Sequence, residues 1–250
     1  MSQKNIGNKI IVFDMDETLG YFSEFGIFYD ALERYIKKNI TPQQFFKLFD
    51  IYSNILLRPN IIEILRYTVN MKKSKIINKI LIYTNNQGGN FWVNIMINYI
   101  QNKVGMGKIF DQIIKAYKIN NKQIELCRTT HSKTYNDLVV NCCKLPKNTK
   151  VCFIDDQRHP YMQNNSNVYY IKIKPYVHSL QPFEFANKLL SSKSSLSSLI
   201  TKENHFIEYI NNYFNSIKYY KYSPKTKKEI SIDKLISNEL MNLIKNFKTF

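Results

Sequence analysis

An α/β fold, with a parallel five-stranded sheet flanked by helices, is predicted by three features of this 250-residue chain. Five short apolar runs rich in Ile, Val, Phe and Tyr are each followed by turn-forming or acidic residues, the pattern of buried strands. Helical patterns separate them, and strands that alternate with helices pair in parallel through right-handed crossovers. Three of the runs stop at a polar motif, and in open α/β sheets such residues gather beyond the carboxyl ends of the strands.

The first run, Lys9 to Phe13, stops at Asp14-Met15-Asp16-Glu17-Thr18-Leu19-Gly20. Residues two apart in an extended segment point the same way, so the Asp14 and Asp16 carboxylates are predicted on one face. Two like charges that close are costly unless a cation or a shared proton lies between them. A Mg2+ site in which one carboxylate also attacks phosphorus accounts for the pair, because aspartyl-phosphates are an established covalent route. An insertion follows from Tyr21 to Leu57, with two amphipathic stretches, Asp30 to Lys38 and Pro42 to Leu56.

The second run, Lys79 to Tyr83, leads into Thr84-Asn85-Asn86 and a Gly88-Gly89 turn, after which Asn90 is predicted to cap a helix over Phe91 to Lys103. The third is Gln112 to Ala116. Ser132 or Lys133 then opens a predicted helix with an apolar stripe of Tyr135, Leu138, Val139 and Cys142. The fourth run, Lys150 to Ile154, ends in Asp155-Asp156-Gln157. Consecutive residues of an extended segment face opposite ways, so without a turn only one of the two carboxylates can touch a metal directly, and Asp155 is the one expected. Val168 to Ile173 is the fifth run. After Ala186 the pattern weakens into the linker-like Ser191 to Ser198. Phe206 to Tyr220 and Ile232 to Phe247 then read as helices separated by Ser223-Pro224, with apolar positions expected to pack on the main domain. The predicted division is a catalytic domain over residues 1–186, carrying the insertion at 21–57, and a helical extension over 187–250.

Thirty-six basic against nineteen acidic residues leave a formal charge of +17, which implies attraction to anionic partners. From Asn187 onward there are eleven lysines and five acidic residues, so the charge is spread rather than gathered in a basic arm. No run of eighteen apolar residues occurs, and the polar start, Met1 to Lys9, has no signal-peptide core. An intracellular protein, cytoplasmic or nuclear and without a membrane partner, is expected. Cys127, Cys142, Cys143 and Cys152 show no Cys-x-x-Cys spacing, and an adjacent Cys142–Cys143 bridge would be strained, so reduced thiols are expected.

The Asp14 to Gly20 segment resembles the first motif of the haloacid dehalogenase superfamily, and its Asp-x-Asp-Glu-Thr-Leu form is most similar to the phosphatases that act on the C-terminal domain of RNA polymerase II. Thr84 after its strand, Lys133 near a helix start and Asp155-Asp156 after theirs resemble the remaining three motifs, in the same order. Arg58-Pro59, before the second motif, and Arg128, before the motif lysine, resemble further features of those phosphatases. Asp156 stands where many of them carry Asn, whereas Asp-Asp is common across the wider superfamily. The resemblance covers roughly Lys9 to Val177 and implies a Rossmann-like sheet. The insertion then stands where the superfamily places caps, and at this length it implies a flap or small helical lid over an open cleft suited to a bulky substrate.

The same resemblance implies that Asp14 is nucleophile and metal ligand, and that Asp16 is the general acid and base with its backbone carbonyl also on the metal. Thr18 would brace the loop. Thr84, the Asn85 amide and Lys133 would bind the phosphoryl group. Asp155 would be the second carboxylate on Mg2+, with Asp156 acting through water or on a lysine. The implied activity is Mg2+-dependent hydrolysis of a phosphomonoester, first of all a phosphoserine in a protein. A nucleic-acid 3′-phosphate, a small phosphometabolite and a non-catalytic scaffold are the alternatives. His131 and His159 lie near motifs without an assigned role. Trp92 and Tyr161 could stack bases but read more simply as core and rim.

Overall fold

Residues 8–250 are described by a computed structural model, so the polar start of the chain falls outside the described residues up to residue 7. The strands are β1 (Lys9–Phe13), β2 (Lys79–Tyr83), β3 (Gln112–Ile114), β4 (Lys118–Ile119), β5 (Lys122–Gln123), β6 (Lys150–Asp155) and β7 (Val168–Lys172). The helices are α1 (Ser23–Ile36), α2 (Pro42–Asp50), α3 (Ser53–Leu56), α4 (Ile61–Lys73), α5 (Gly89–Val104), α6 (Pro160–Gln163), α7 (Pro182–Ser191), α8 (Glu203–Ser216) and α9 (Lys227–Asn246). All five predicted strands are present. They form one parallel sheet in the order β3-β2-β1-β6-β7.

Two compact units make up the described chain. The first takes in the chain up to Leu19, Asn60–Pro175 and Asp233–Phe250, and it contains the sheet. From central β1 the chain steps outward through β2 to β3, then returns to β6 on the other side of β1. That reversal opens a crevice at the carboxyl ends of β1 and β6. Their register pairs Phe13 with Ile154, and the Asp14 N–H donates to the Ile154 carbonyl at 2.9 Å, so Asp14 and Asp155 emerge side by side.

One face of the sheet buries Ile10, Val12, Leu81, Tyr83, Val151 and Phe153 against Tyr135, Leu138, Val139 and Cys143. Those last residues belong to a turn that differs from the predicted α-helix. Asn136–Cys142 is a π-helix, with the Cys143 N–H donating to Leu138 five residues back. A π turn takes one more residue than an α turn. The core position after Leu138 therefore falls on Cys143 instead of the predicted Cys142, and Cys142 is left half-buried at the edge. There it is joined to Cys127 by a disulfide across a Cα–Cα separation of 4.9 Å, within the span such bridges cover. This corrects the expectation of four reduced thiols; Cys143 and Cys152 are free and buried.

Other boundaries shift for local reasons. α5 starts at Gly89 with Gly88 as its cap, so Asn90 lies inside the helix rather than capping it. The β4–β5 hairpin was not foreseen; its Asn120-Asn121 turn takes φ of 47° and 61°, a left-handed conformation that Asn tolerates. The C-terminal end returns to the base of the sheet, where the Lys9 ammonium donates to the Phe247 and Lys248 carbonyls at 3.4 and 2.8 Å.

The second unit comprises Gly20–Pro59 and Tyr176–Ile232. Its core is aromatic: Phe25 packs against Phe45, Phe49 and Tyr52, and Phe28 stacks on Phe185, which stacks on Phe214. The predicted stretch Pro42 to Leu56 is α2 and α3, whereas Asp30 to Lys38 covers only the second half of α1, which starts at Ser23 and ends at Ile36; α8 finds its packing partners in α1 and α7. Glu24 is buried without a cation; its carboxylate accepts from Ser179 Oγ at 2.6 Å and the Leu180 N–H at 3.0 Å. Burial pushes its pKa up to about 7. Gly20 pairs with Leu57, and a side chain there would come within 2.5 Å of the Leu56 carbonyl oxygen. The serine-rich stretch is not a loose linker. Ser197 bonds back to Ser194 through both its N–H and its hydroxyl, and Leu196 and Ile200 on either side are buried. Phe25→Ala should cost about 3–5 kcal/mol, read as a lower urea midpoint, because its cavity would be walled by rings that cannot collapse inward; a loss below 1 kcal/mol would mean that the cluster is not close-packed.

Candidate functional site

Beyond the ends of β1, β2 and β6 lies a pocket of about 230 Å³, lined by Asp14, Asp16, Glu17, Thr84, Asn85, Asn86, Lys133, Asp155, Asp156, Gln157 and His159. Every residue named as catalytic, phosphate-binding or metal-binding from the sequence lines it. The residues that line it are polar or charged in type, and the strands beneath it are buried on both faces.

The central contact joins Lys133 to two strand tips. Its ammonium donates to Asp14 Oδ1 and, at 2.7 Å, to Asp155 Oδ2. The side chain is 3% exposed and lies over the rings of Tyr83 and Phe153 at 5.8 and 5.9 Å. Burial alone would lower its pKa, but Asp14 and Asp155 outweigh that and raise it, so Lys133 is held charged. Asp14 is pushed up by its own burial against the pull of Lys133. Asp155 is equally shielded, yet Lys133 and His159 overcome the burial and hold it below the usual carboxylate range. Its Oδ1 accepts the Gln157 N–H at 2.8 Å, and His159 Nε2 lies 3.2 Å from Oδ2, near enough for charge attraction without hydrogen-bond alignment.

Asp156 joins them because the chain bends immediately after β6 instead of continuing extended. Ligand oxygens of Asp14, Asp155 and Asp156 lie within 4.8 Å of one another, all buried. That bend is the condition under which the sequence reading allows both consecutive carboxylates to face one ion. Thr18 Oγ donates to Asp156 Oδ1 at 3.4 Å, and Gln157 Nε2 donates to Oδ2. Three clustered carboxylates with one lysine between them leave net negative charge at buried side chains, and a hard all-oxygen donor set suits a hard divalent cation. The residues fit a metal ion on that ground.

Asp16 stands apart from this trio. Its carboxylate accepts from Asn86 Nδ2 at 2.8 Å, and burial pushes its pKa up to about 6. Thr84 Oγ accepts the Asn86 N–H at 3.0 Å, which leaves its own O–H proton to donate. The Asn85 side chain turns away to accept from Arg128 at 2.8 Å.

Arg128 was visible in the sequence only through a resemblance, and here it ties two walls of the site together. Buried over the Tyr83 ring, it donates to the Thr84 and Lys115 carbonyls on one side and to the His131 and Ser132 carbonyls on the other. The loop after β2 is thus joined to the segment that presents Lys133. Asn86 and Gln157 were also missed, since isolated amides carry no sequence signal of a role. His131 is exposed and packs edge-on against Tyr117. Tyr161 is exposed, and Trp92 is half-buried beside Gly88.

Raised carboxyl pKa values mean that the folded protein holds protons the unfolded chain has released. Without a cation, the Asp16 contribution to stability is therefore present at low pH and lost as pH climbs from about 4 through about 6, with Asp14 acting in the same direction. A bound cation prefers ionised ligands and should reverse that slope. Millimolar Mg2+ or Mn2+ should raise the melting temperature more at pH 8 than at pH 5, and Asp155→Asn should remove the rise; a pH-independent response equal in the variant would place the cation elsewhere. The chain was compared with family models, with curated proteins and with solved structures, and nothing matches.

Proposed function

We propose that this protein is a Mg2+-dependent phosphomonoester hydrolase of the haloacid dehalogenase type, working through an aspartyl-phosphate. The observation that carries the reading is the Lys133 ammonium set between Asp14 and Asp155 at adjacent strand tips, with Thr84 lining the same pocket. A scaffold has no physical need for a buried ammonium among four carboxylates, because each charge taken from water costs several kcal/mol.

Asp14, Asp155 and the Asp16 carbonyl would hold the ion, with Asp156 beside them, and once bound Mg2+ would neutralise charge on the non-bridging phosphate oxygens. Asp14 engages Lys133 through Oδ1, which leaves Oδ2 to attack phosphorus. As the Asp14 oxygen bonds to phosphorus, the ester oxygen departs and takes its proton from Asp16. A water then attacks the acyl-phosphate, gives its proton to Asp16 and releases Asp14 and phosphate. A carboxyl poised at about 6 serves both as acid and as base near neutral pH. Lys133 and the Thr84 hydroxyl would offset charge on the transferring group, assisted by the Asn85 N–H.

The pocket, about 230 Å³, is smaller than the usual range of sites that enclose a whole small molecule. That supports a phosphoryl group presented on a larger body, such as a phosphoserine side chain. The charge of +17 favours an anionic body and keeps a 3′-phosphorylated nucleic acid in view.

p-Nitrophenyl phosphate should be hydrolysed with Mg2+ and not with EDTA, and Asp14→Asn should lower turnover by about 10³-fold or more; retention of activity in that variant would remove the covalent route. Asp16→Asn should still release a burst of p-nitrophenol, because this leaving group needs little acid help, and phosphorylated protein should accumulate because hydrolysis still needs the base. If intact-mass spectra of that variant show no phosphoenzyme, Asp16 does not hold the second-step role.

A further inference from the structure

The Cys127–Cys142 bridge brackets the segment that presents Lys133. Cys127 immediately precedes Arg128, Cys142 is the last residue of the π-helix, and His131, Ser132 and Lys133 lie between them. We propose that this disulfide is a redox latch on the phosphate-binding side of the site: closed, it holds Arg128 and Lys133 in working position, and opened to two thiols, it lets the segment slacken so that turnover falls. The regulatory part of this inference rests on the hydrolase reading; the mechanical part does not.

Three observations support it. The first is the coupling through Arg128, whose guanidinium joins the loop carrying Thr84 and Asn85 to the carbonyls of His131 and Ser132, one or two residues before Lys133. Its placement follows that of Cys127, its chain neighbour. The second is the π register described above, which sends Cys143 into the core and turns Cys142 to the edge within reach of Cys127. The third is access. Both bridged cysteines are half-buried and Leu126 beside them is 82% exposed, whereas the two free cysteines are buried. A reductant can therefore reach the bridge and not the other sulfurs. Glu125 adds a chemical link: its Oε1 lies 3.3 Å from Cys127 Sγ, placed to accept a hydrogen bond from the thiol after reduction, while its Oε2 accepts from the Lys115 N–H, whose own carbonyl is a partner of Arg128. In reducing compartments, the disulfides that do form are usually catalytic or redox-sensing.

The co-reactant is a dithiol of the thioredoxin class or dithiothreitol. One of its thiolates attacks a bridge sulfur, the S–S bond breaks and the other cysteine leaves as thiolate. The second thiol of the reductant then resolves the mixed disulfide. Two electrons and two protons end on Cys127 and Cys142, and the reductant becomes a disulfide; glutathione disulfide drives the reverse.

The test compares the full chain oxidised, reduced with dithiothreitol and reoxidised, alongside Cys127→Ser/Cys142→Ser. Differential alkylation with mass spectrometry should show these two cysteines, and neither Cys143 nor Cys152, becoming accessible on reduction. Turnover of p-nitrophenyl phosphate should fall about tenfold or more, given how steeply rate depends on ångström-scale placement, and return on reoxidation. Amide exchange should quicken in residues 127–135 while β1 and β6 stay protected. The double variant should match the reduced state and ignore dithiothreitol; should it fail to fold, the reversible cycle of the unmodified chain still decides. Equal turnover together with equal exchange in both redox states would overturn the latch. Absence of turnover in every form, with the exchange difference present, would instead overturn the hydrolase reading and leave the mechanical latch standing.

Discussion

Everything at the site depends on one ammonium shared by two carboxylates at the tips of neighbouring parallel strands. The β1–β6 pairing brings Asp14 and Asp155 level, and without a cation between them their repulsion would oppose the very register that aligns them. Lys133 resolves the conflict from a separate segment, so the sheet and the Lys133 loop need each other. Removing the lysine would leave buried charge without a partner, a far larger penalty than the loss of a surface ion pair.

The carboxylates differ because their surroundings differ. Asp155 accepts from Lys133 and the Gln157 N–H and stays ionised, whereas burial drives Asp16 toward its neutral form and the Asn86 amide offsets that only in part. Burial raises the Asp14 pKa as well, so within one pocket chemically identical groups are held in different charge states by their neighbours. Asp14 is set by two opposed effects, its own desolvation and the attraction of Lys133.

Much of this was legible in the sequence because it is local. Lys79–Tyr83 is a strand in name and bounds as read from its residues, and the acidic or hydroxyl residue after each central strand follows from the polarity of a parallel sheet. What escaped reading depends on backbone detail or on long-range partners. One extra residue in a helical turn moved the core position from Cys142 to Cys143 and made a disulfide geometrically possible. A bend after Asp155 brought Asp156 round to the same side. Leu196 and Ile200 anchored a serine-rich stretch whose composition alone read as a linker. Arg128 acts through main-chain carbonyls, which any sequence supplies, so its hydrogen-bond partners could not be named from residue types.

The contact of Lys9 with the Phe247 and Lys248 carbonyls has a practical bearing on handling the protein. Phe247 and Phe250 pack on Tyr169 and Phe250 lies under Lys150, so this segment is seated where β1 and β6 begin, about one strand length, or roughly 16 Å, from where they deliver their acidic tips. A fluorophore, purification handle or immobilising surface attached at that point would project from the opposite pole to the pocket. Cutting the chain back past Phe247 would instead expose the base of the sheet.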